Sequence, residues 1–244
     1  ASLAVCGAVS AALVPAVPAA VVEYGYTGVV SVVQTAGSGF FPSDVKLNAT
    51  VRGILKFDDA ATATGNYGNS TAYNGPLDYT VTFDTTTYTK ASVMGHYSSS
   101  SSYIQVFNDA PVNAEYLDKF AVSLGSYDYS NNANQRNTAL QFVLEEQSAS
   151  PGALTSTSLS NIQLDLSKFT DSRTITYWDM SMNNVGGFNY QTTFSAAVTS
   201  LVRQSNVGDM SSGSVSVQQG EKVVAGTATG GSIDASAGSA EIAN

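Results

Sequence analysis

Phe188-Asn189-Tyr190-Gln191-Thr192-Thr193-Phe194-Ser195-Ala196-Ala197-Val198-Thr199-Ser200-Leu201-Val202-Arg203 alternates in character along most of its length. Phe188, Tyr190, Phe194, Val198 and Val202 fall on one face of an extended chain, and Asn189, Gln191, Ser195, Thr199 and Arg203 on the other. A period of two is the spacing of a strand, whose successive side chains point to opposite faces. A strand with one apolar and one polar face belongs to an antiparallel sheet that rests one side on a core.

The same design recurs. Val45 to Arg52 alternates, Leu55 and Phe57 continue its apolar face, and Lys46, Arg52 and Lys56 project from the other. Gly53 interrupts that face and marks a bulge or a close crossing. Leu77 to Asp84, Leu140 to Leu144 and Ile162 to Leu166 repeat the pattern. Turn-forming clusters separate these runs: Gly65 to Asn69, Asn74-Gly75-Pro76, Ser130-Asn131-Asn132, Ser150-Pro151-Gly152 and Asn183 to Gly187. One short helix is expected, within Val112 to Phe120. Ten or more strands so spaced predict an all-β fold, an antiparallel β-sandwich or jelly-roll-like domain. Three regions follow: an apolar N-terminal arm over 1–22, the β-sandwich over 23–204, and a Gly/Ser/Ala-rich tail over 205–244. Within the tail, short strands are expected at 214–217 and 223–225.

Charged residues make up 12% of the 244, against about 25% in ordinary soluble domains. Hydroxyls and amides supply the polarity instead, a surface suited to an exported protein. The net charge of −9, with ten scattered Lys and Arg, disfavours nucleic acid and anionic membranes, which both attract basic patches. The single cysteine, Cys6, excludes an internal disulfide and a thiolate metal cluster, and is expected to be a small buried apolar side chain.

The arm reads ASLAVCGAVSAALVPAVPAAVV and carries no charge before Glu23. A transmembrane helix is disfavoured by Gly7, Pro15 and Pro18 and by the lack of Lys or Arg at either end, so no membrane span is expected. Two readings stay open. One is the remnant of a secretory leader, which the apolar run and the small residues around Pro18 fit. The other is an extended strand added to an open sheet edge, with alternate side chains in pockets. The large/small alternation favours the strand, with Leu3, Val5, Val9, Leu13 and Val17 as subunit-interface anchors.

Catalytic signatures are lacking. His96, the only histidine, precedes five serines and reads as a loop residue, without the strained turn of a nucleophile elbow. Asp58-Asp59 and Glu145-Glu146 are adjacent pairs, so on a strand each offers one carboxylate to any cleft, too few for a glycosidase. No cofactor is expected. Calcium at loop oxygens around Asp58, Asp59, Asp109 and Asp128 is the one metal option, and no EF-hand-like spacing supports it. Tyr24, Tyr26, Tyr127, Tyr129 and Trp178 are either packed strand aromatics, the commoner outcome, or a platform for sugar rings. Two glycosylation sequons, Asn48-Ala49-Thr50 and Asn69-Ser70-Thr71, are present.

Gly53-Ile54-Leu55-Lys56-Phe57-Asp58-Asp59-Ala60, Tyr103-Ile104-Gln105-Val106-Phe107-Asn108-Asp109 and the strand Phe194 to Arg203 resemble exported bacterial β-rich proteins of the PEP-CTERM-associated kind, over about residues 24–203. The Pro-Glu-Pro signal, apolar helix and basic tail that generally close that family do not occur in this sequence. The resemblance implies export and a β-sandwich, and carries no shared activity. The expected function is therefore an extracellular structural protein rather than an enzyme. Its subunits would form a homopolymer, a pilus-like or matrix filament built by N-terminal strand donation. The alternative is a secreted monomeric module that binds surface glycans.

Overall fold

The computed structural model describes residues 21–128, 134–183, 188–204, 214–219 and 222–227. The expected all-β class is what it shows: eleven strands form one antiparallel sheet curled into a half-barrel, sandwich-like in its facing layers. In chain order these are β1 (Val21–Gly37), β2 (Thr50–Asp58), β3 (Ala63–Asn66), β4 (Ser70–Asn74), β5 (Asp78–Thr82), β6 (Thr87–Thr89), β7 (Ser99–Val112), β8 (Glu115–Asp128), β9 (Asn134–Ser148), β10 (Ser172–Asn183) and β11 (Phe188–Gln204). Their order across the sheet is β3-β4-β7-β8-β9-β10-β11-β1-β2-β5-β6.

Two short links force the curl. β2 and β3 lie eight places apart in the sheet, yet only residues 59–62 join them. In a flat sheet the gap would be about 38 Å, whereas this link reaches at most about 18 Å. Residues 75–77 join β4 to β5 across the same number of places. The sheet must therefore roll until its two ends approach. Strands five places apart then face each other: Phe57 of β2 meets Phe120 of β8 at 5.8 Å between ring centres, and Tyr79 of β5 meets Phe142 of β9 at 6.4 Å.

The interior holds the alternate residues that the pattern assigns to it. Val22, Tyr24, Tyr26 and Val30 of β1, Leu55 and Phe57 of β2, Tyr79 and Val81 of β5, and Leu140, Phe142 and Leu144 of β9 are all buried. Gly53 is a close crossing: a Cβ there would strike the Thr80 carbonyl and the Tyr26 hydroxyl, which are themselves hydrogen-bonded. Val202 departs from the expected face. Thr27 pairs with Ser200 and Gly28 with Val198, so Thr199 is an extra residue in β11. The bulge reverses the phase beyond it, turning Leu201 toward the core and Val202 to solvent.

Three expectations are corrected. Val112 to Phe120 is not helical. It spans the end of β7, the two-residue turn at 113–114 with Asn113 in the left-handed region (φ 57°), and the first residues of β8, with Val112 paired to Glu115. The helix, α1 (Lys90–Met94), forms earlier, where the Thr89 and Ser92 side chains each cap the other's backbone N–H. Ile162 to Leu166 is no strand either. It belongs to the connection between β9 and β10, whose 3-10 turns are Leu159–Asn161 and Leu166–Lys168. Its apolar residues are buried as a plug: the Leu164 N–H donates to the Tyr24 hydroxyl, and Leu154 N–H to the buried Asp118. Val45 to Ala49 lies in the loop before β2, with Asn48 at φ 62°.

Val21 and Val22 pair with Asp58 and Phe57, so β1 takes in the last two residues assigned to the arm. Leu3, Val5, Val9, Leu13 and Val17, with Cys6, lie outside the described residues. Residues 205–244 form a separate unit, in which β12 (Ser214–Gln219) and β13 (Lys222–Thr227) make an antiparallel hairpin. No helix among the described residues is long and apolar enough to cross a membrane.

Candidate functional site

β10 sends Ile175, Tyr177 and Asp179 to the interior in succession. The first is fully buried, the second packs on the core, and the third is a carboxylate where the pattern calls for an apolar group. Polar residues on an inward face are uncommon and need partners. Asp179 lies opposite Thr192 of β11, and its neighbour in phase, Ser181, lies opposite Tyr190. Here, at one mouth of the half-barrel, a cleft of about 280 Å³ opens between Ser38, Gly39, Phe40, Phe41, Tyr88, Tyr177, Asp179, Tyr190 and Thr192.

Its walls are extensions of the aromatic core. Tyr177 stacks on Phe194 at 5.6 Å with the planes 20° apart, and Tyr88 of β6 packs on Tyr177 at 4.4 Å. Phe41 closes on the same pair from the loop after β1, at 6.4 Å from Tyr177 and 6.0 Å from Phe194. Phe40, next to it, is 81% exposed at the rim. That loop is fastened by Asp44, which accepts four hydrogen bonds of 2.8–2.9 Å from the backbone and hydroxyls of Thr85 and Thr86.

The carboxylate is held by phenols. The Tyr97 and Tyr190 hydroxyls lie 3.0 and 3.3 Å from Asp179 Oδ1 and 2.6 Å from each other, so their two protons serve two of these three contacts at a time. Tyr97 reaches the cleft because α1 is pinned to β8: Ser126 Oγ donates to the Val93 carbonyl and accepts from Tyr97 N–H. Burial pushes the Tyr97, Tyr190 and Tyr88 phenols above their usual range, and Tyr177 to about 12, with the charge of Asp179 adding to each shift. These phenols stay neutral hydrogen-bonding groups at physiological pH.

His96 is an exposed residue just past α1, as the sequence indicates, yet its Nε2 stands 3.7 Å from Asp179 Oδ2. The other sequence candidates scatter. Asp58 caps its own turn through Ala60 N–H, Glu145 pairs with Lys119 at 3.1 Å, and Glu146 accepts from the Gly152 and Ala153 N–H groups. Asp58 and Asp59 sit at the end of β2, Asp109 in β7 and Asp128 at the end of β8, and no three metal-ligating side chains among the described residues converge on one point. Of the aromatics considered for a sugar platform, Tyr24 and Tyr26 are core residues, Trp178 lies on β10 between inward-facing Tyr177 and Asp179, and Tyr129 lies outside the described residues. The cleft uses Tyr88, Tyr177 and Tyr190 instead. One signal for it was present in the sequence: Asp179 falls in phase with Ile175 and Tyr177.

A second cavity, about 220 Å³, lies within the β9–β10 connection between Leu154, Ser156, Ile162 and Lys168, and has neither an aromatic wall nor a carboxylate. No family model, curated protein or solved structure matches this chain.

Proposed function

We propose that the chain is an exported binding module whose mouth cleft takes a carbohydrate. The observation that carries this is the inward-facing Asp179, in a hydrogen-bonded cluster with two tyrosine hydroxyls among aromatic walls. Flat aromatic faces suit the C–H face of a pyranose, and a fixed carboxylate accepts hydrogen bonds from its hydroxyls. Barrel mouths are common ligand sites because the scaffold is rigid there and the strand ends supply side chains from several directions. Calorimetric titration of the chain with simple hexoses and their oligomers tests the reading. Saturable binding that Tyr177→Ala weakens supports it; no heat from any saccharide at millimolar concentration overturns it.

Filament formation by strand donation is the second reading. It is favoured by the sheet's two edge strands, β3 and β6, each of which pairs with one strand only. The uncharged, alternating sequence before β1 is the segment that would add there. Donation between subunits is a head-to-tail contact and generates open fibres. Electron microscopy of the full chain and of a variant lacking residues 1–20 separates the two: filaments that persist unchanged in the shortened chain rule out donation.

A further inference from the structure

The charge balance of the cleft narrows the ligand. Asp179 is its one carboxylate, its side chain is 18% exposed, and none of the residues lining the cleft is Lys or Arg. Both phenols approach Oδ1, and one of their two protons also serves the 2.6 Å bond between the hydroxyls. Among the described residues no hydrogen bond reaches Oδ2, and the His96 imidazole stands 3.7 Å from it, within ion-pair reach when protonated. Arg136, close enough to influence Tyr190, is exposed on β9 and lies opposite Asp128 and Ser181. An anion whose Oδ2 takes no hydrogen bond from a described residue, set among neutral aromatic rings, favours a cation over a neutral hydroxyl. The carboxylate gains a charge-assisted hydrogen bond and the ring faces add cation–π attraction.

We propose that the cleft selects a protonated amino sugar, a hexosamine with a free ammonium group, with that ammonium on Asp179 Oδ2 and the pyranose against the Tyr88–Tyr177 wall. This rests on the carbohydrate reading above and adds the charge of the ligand. A neutral hexose would leave Oδ2 with a weaker partner. An N-acetylated hexosamine would lose the charge and bring an acetyl group to the place of the ammonium.

The experiment is isothermal titration of the full chain at neutral pH with glucosamine, glucose and N-acetylglucosamine. Glucosamine should bind about 10–100-fold more tightly than glucose, the worth of one charge-assisted bond in a partly desolvated site. Added salt should weaken glucosamine and leave glucose unchanged, a comparison that needs only the wild-type protein. Asp179→Asn should bring glucosamine down to the level of glucose. Glucosamine binding no tighter than glucose, or a preference indifferent to both salt and Asp179→Asn, overturns the proposal while leaving the carbohydrate reading standing. Absence of binding by all three sugars and by their oligomers overturns both.

Discussion

Asp44 and Thr86 meet through both donors of the threonine: Thr86 N–H donates to Asp44 Oδ2 and Thr86 Oγ1 to Oδ1, each at 2.8 Å. Thr85 adds two more bonds to Oδ2. The pair ties the loop that carries Phe40 and Phe41 to the turn that leads into Tyr88, so two walls of the cleft share one fastening.

Partial desolvation raises the Asp44 carboxyl, but the four donors outweigh it and hold the group well below the usual carboxylate range. A depressed folded value contributes stability above the unfolded value, near 4, and loses it as pH falls through the folded one. Asp44→Ala should therefore lower the thermal midpoint at pH 7. The gap to wild type should narrow progressively below about pH 4. Calorimetry at pH 7 and pH 3 checks this, and a gap that widens with acid would contradict it.

Gly53→Ala should destabilise by about 1–3 kcal/mol, because the new methyl meets the Thr80 carbonyl and the Tyr26 ring and hydroxyl, backbone and buried side chain that have little room to move. Urea denaturation gives the number. A neutral result would mean that β2 and β5 part more easily than their close crossing implies.

Phe142 is fully buried and touches Tyr26 at 5.6 Å and Tyr79 at 6.4 Å. Phe142→Ala should cost about 3–5 kcal/mol, a large share of the roughly 5–15 kcal/mol that holds a typical domain. Phe142→Leu should recover much of it. Equilibrium unfolding of both variants provides the comparison.

Asp118 has no exposed surface and accepts the Asp109 and Leu154 N–H groups at 2.9 and 2.8 Å. Asp118→Ala strands both amides, at about 1–3 kcal/mol each. The loss should first show as faster hydrogen exchange across residues 150–171, the plug that Leu154 anchors. Uniform acceleration over the whole sheet would instead mean that plug and barrel open together.

Alkali should act through the buried phenols of the cleft and of the core, where burial also pushes Tyr26 and Tyr79 far above their usual range. Burial raises Tyr177 to about 12 and Tyr88, Tyr97 and Tyr190 above their usual range. Phenols raised on folding contribute stability that is full below the unfolded value, near 10, and is lost as pH rises through the folded values. Stability should fall from about pH 10 upward. In a spectroscopic titration the cleft phenols should ionise above the range of an ordinary tyrosine.

The strand pattern was legible wherever apolar and polar residues alternate without interruption, as in Leu140 to Leu144. It misled where a local event changes the phase. Nothing in Val198-Thr199-Ser200 announces that Thr199 is the extra residue, because the bulge is defined by the partner strand β1 and not by β11 alone. Ile162 to Leu166 has the period of a strand and is buried like one, but its backbone bonds to a tyrosine hydroxyl and to its own turn. Periodicity reports burial, and strand pairing is a separate matter. The cleft was legible only in part: Asp179 breaks an apolar phase, whereas the approach of Tyr88, Phe41 and Tyr97 to it depends on the roll of the whole sheet.

β1 and β11, joined from Glu23↔Gln204 to Gly37↔Tyr190, are the first and last strands of the sheet in chain order yet lie side by side within it. A ribosome releasing this chain N-terminus first therefore exposes β1 with one bare edge until nearly every other strand has emerged. Completion of the sheet waits for the final strand, and contacts so distant in sequence form slowly. A chain that cannot close early stays extended for longer. It also depends on protection from self-association during that interval. Truncation before residue 188 should yield an aggregating product rather than a smaller stable domain.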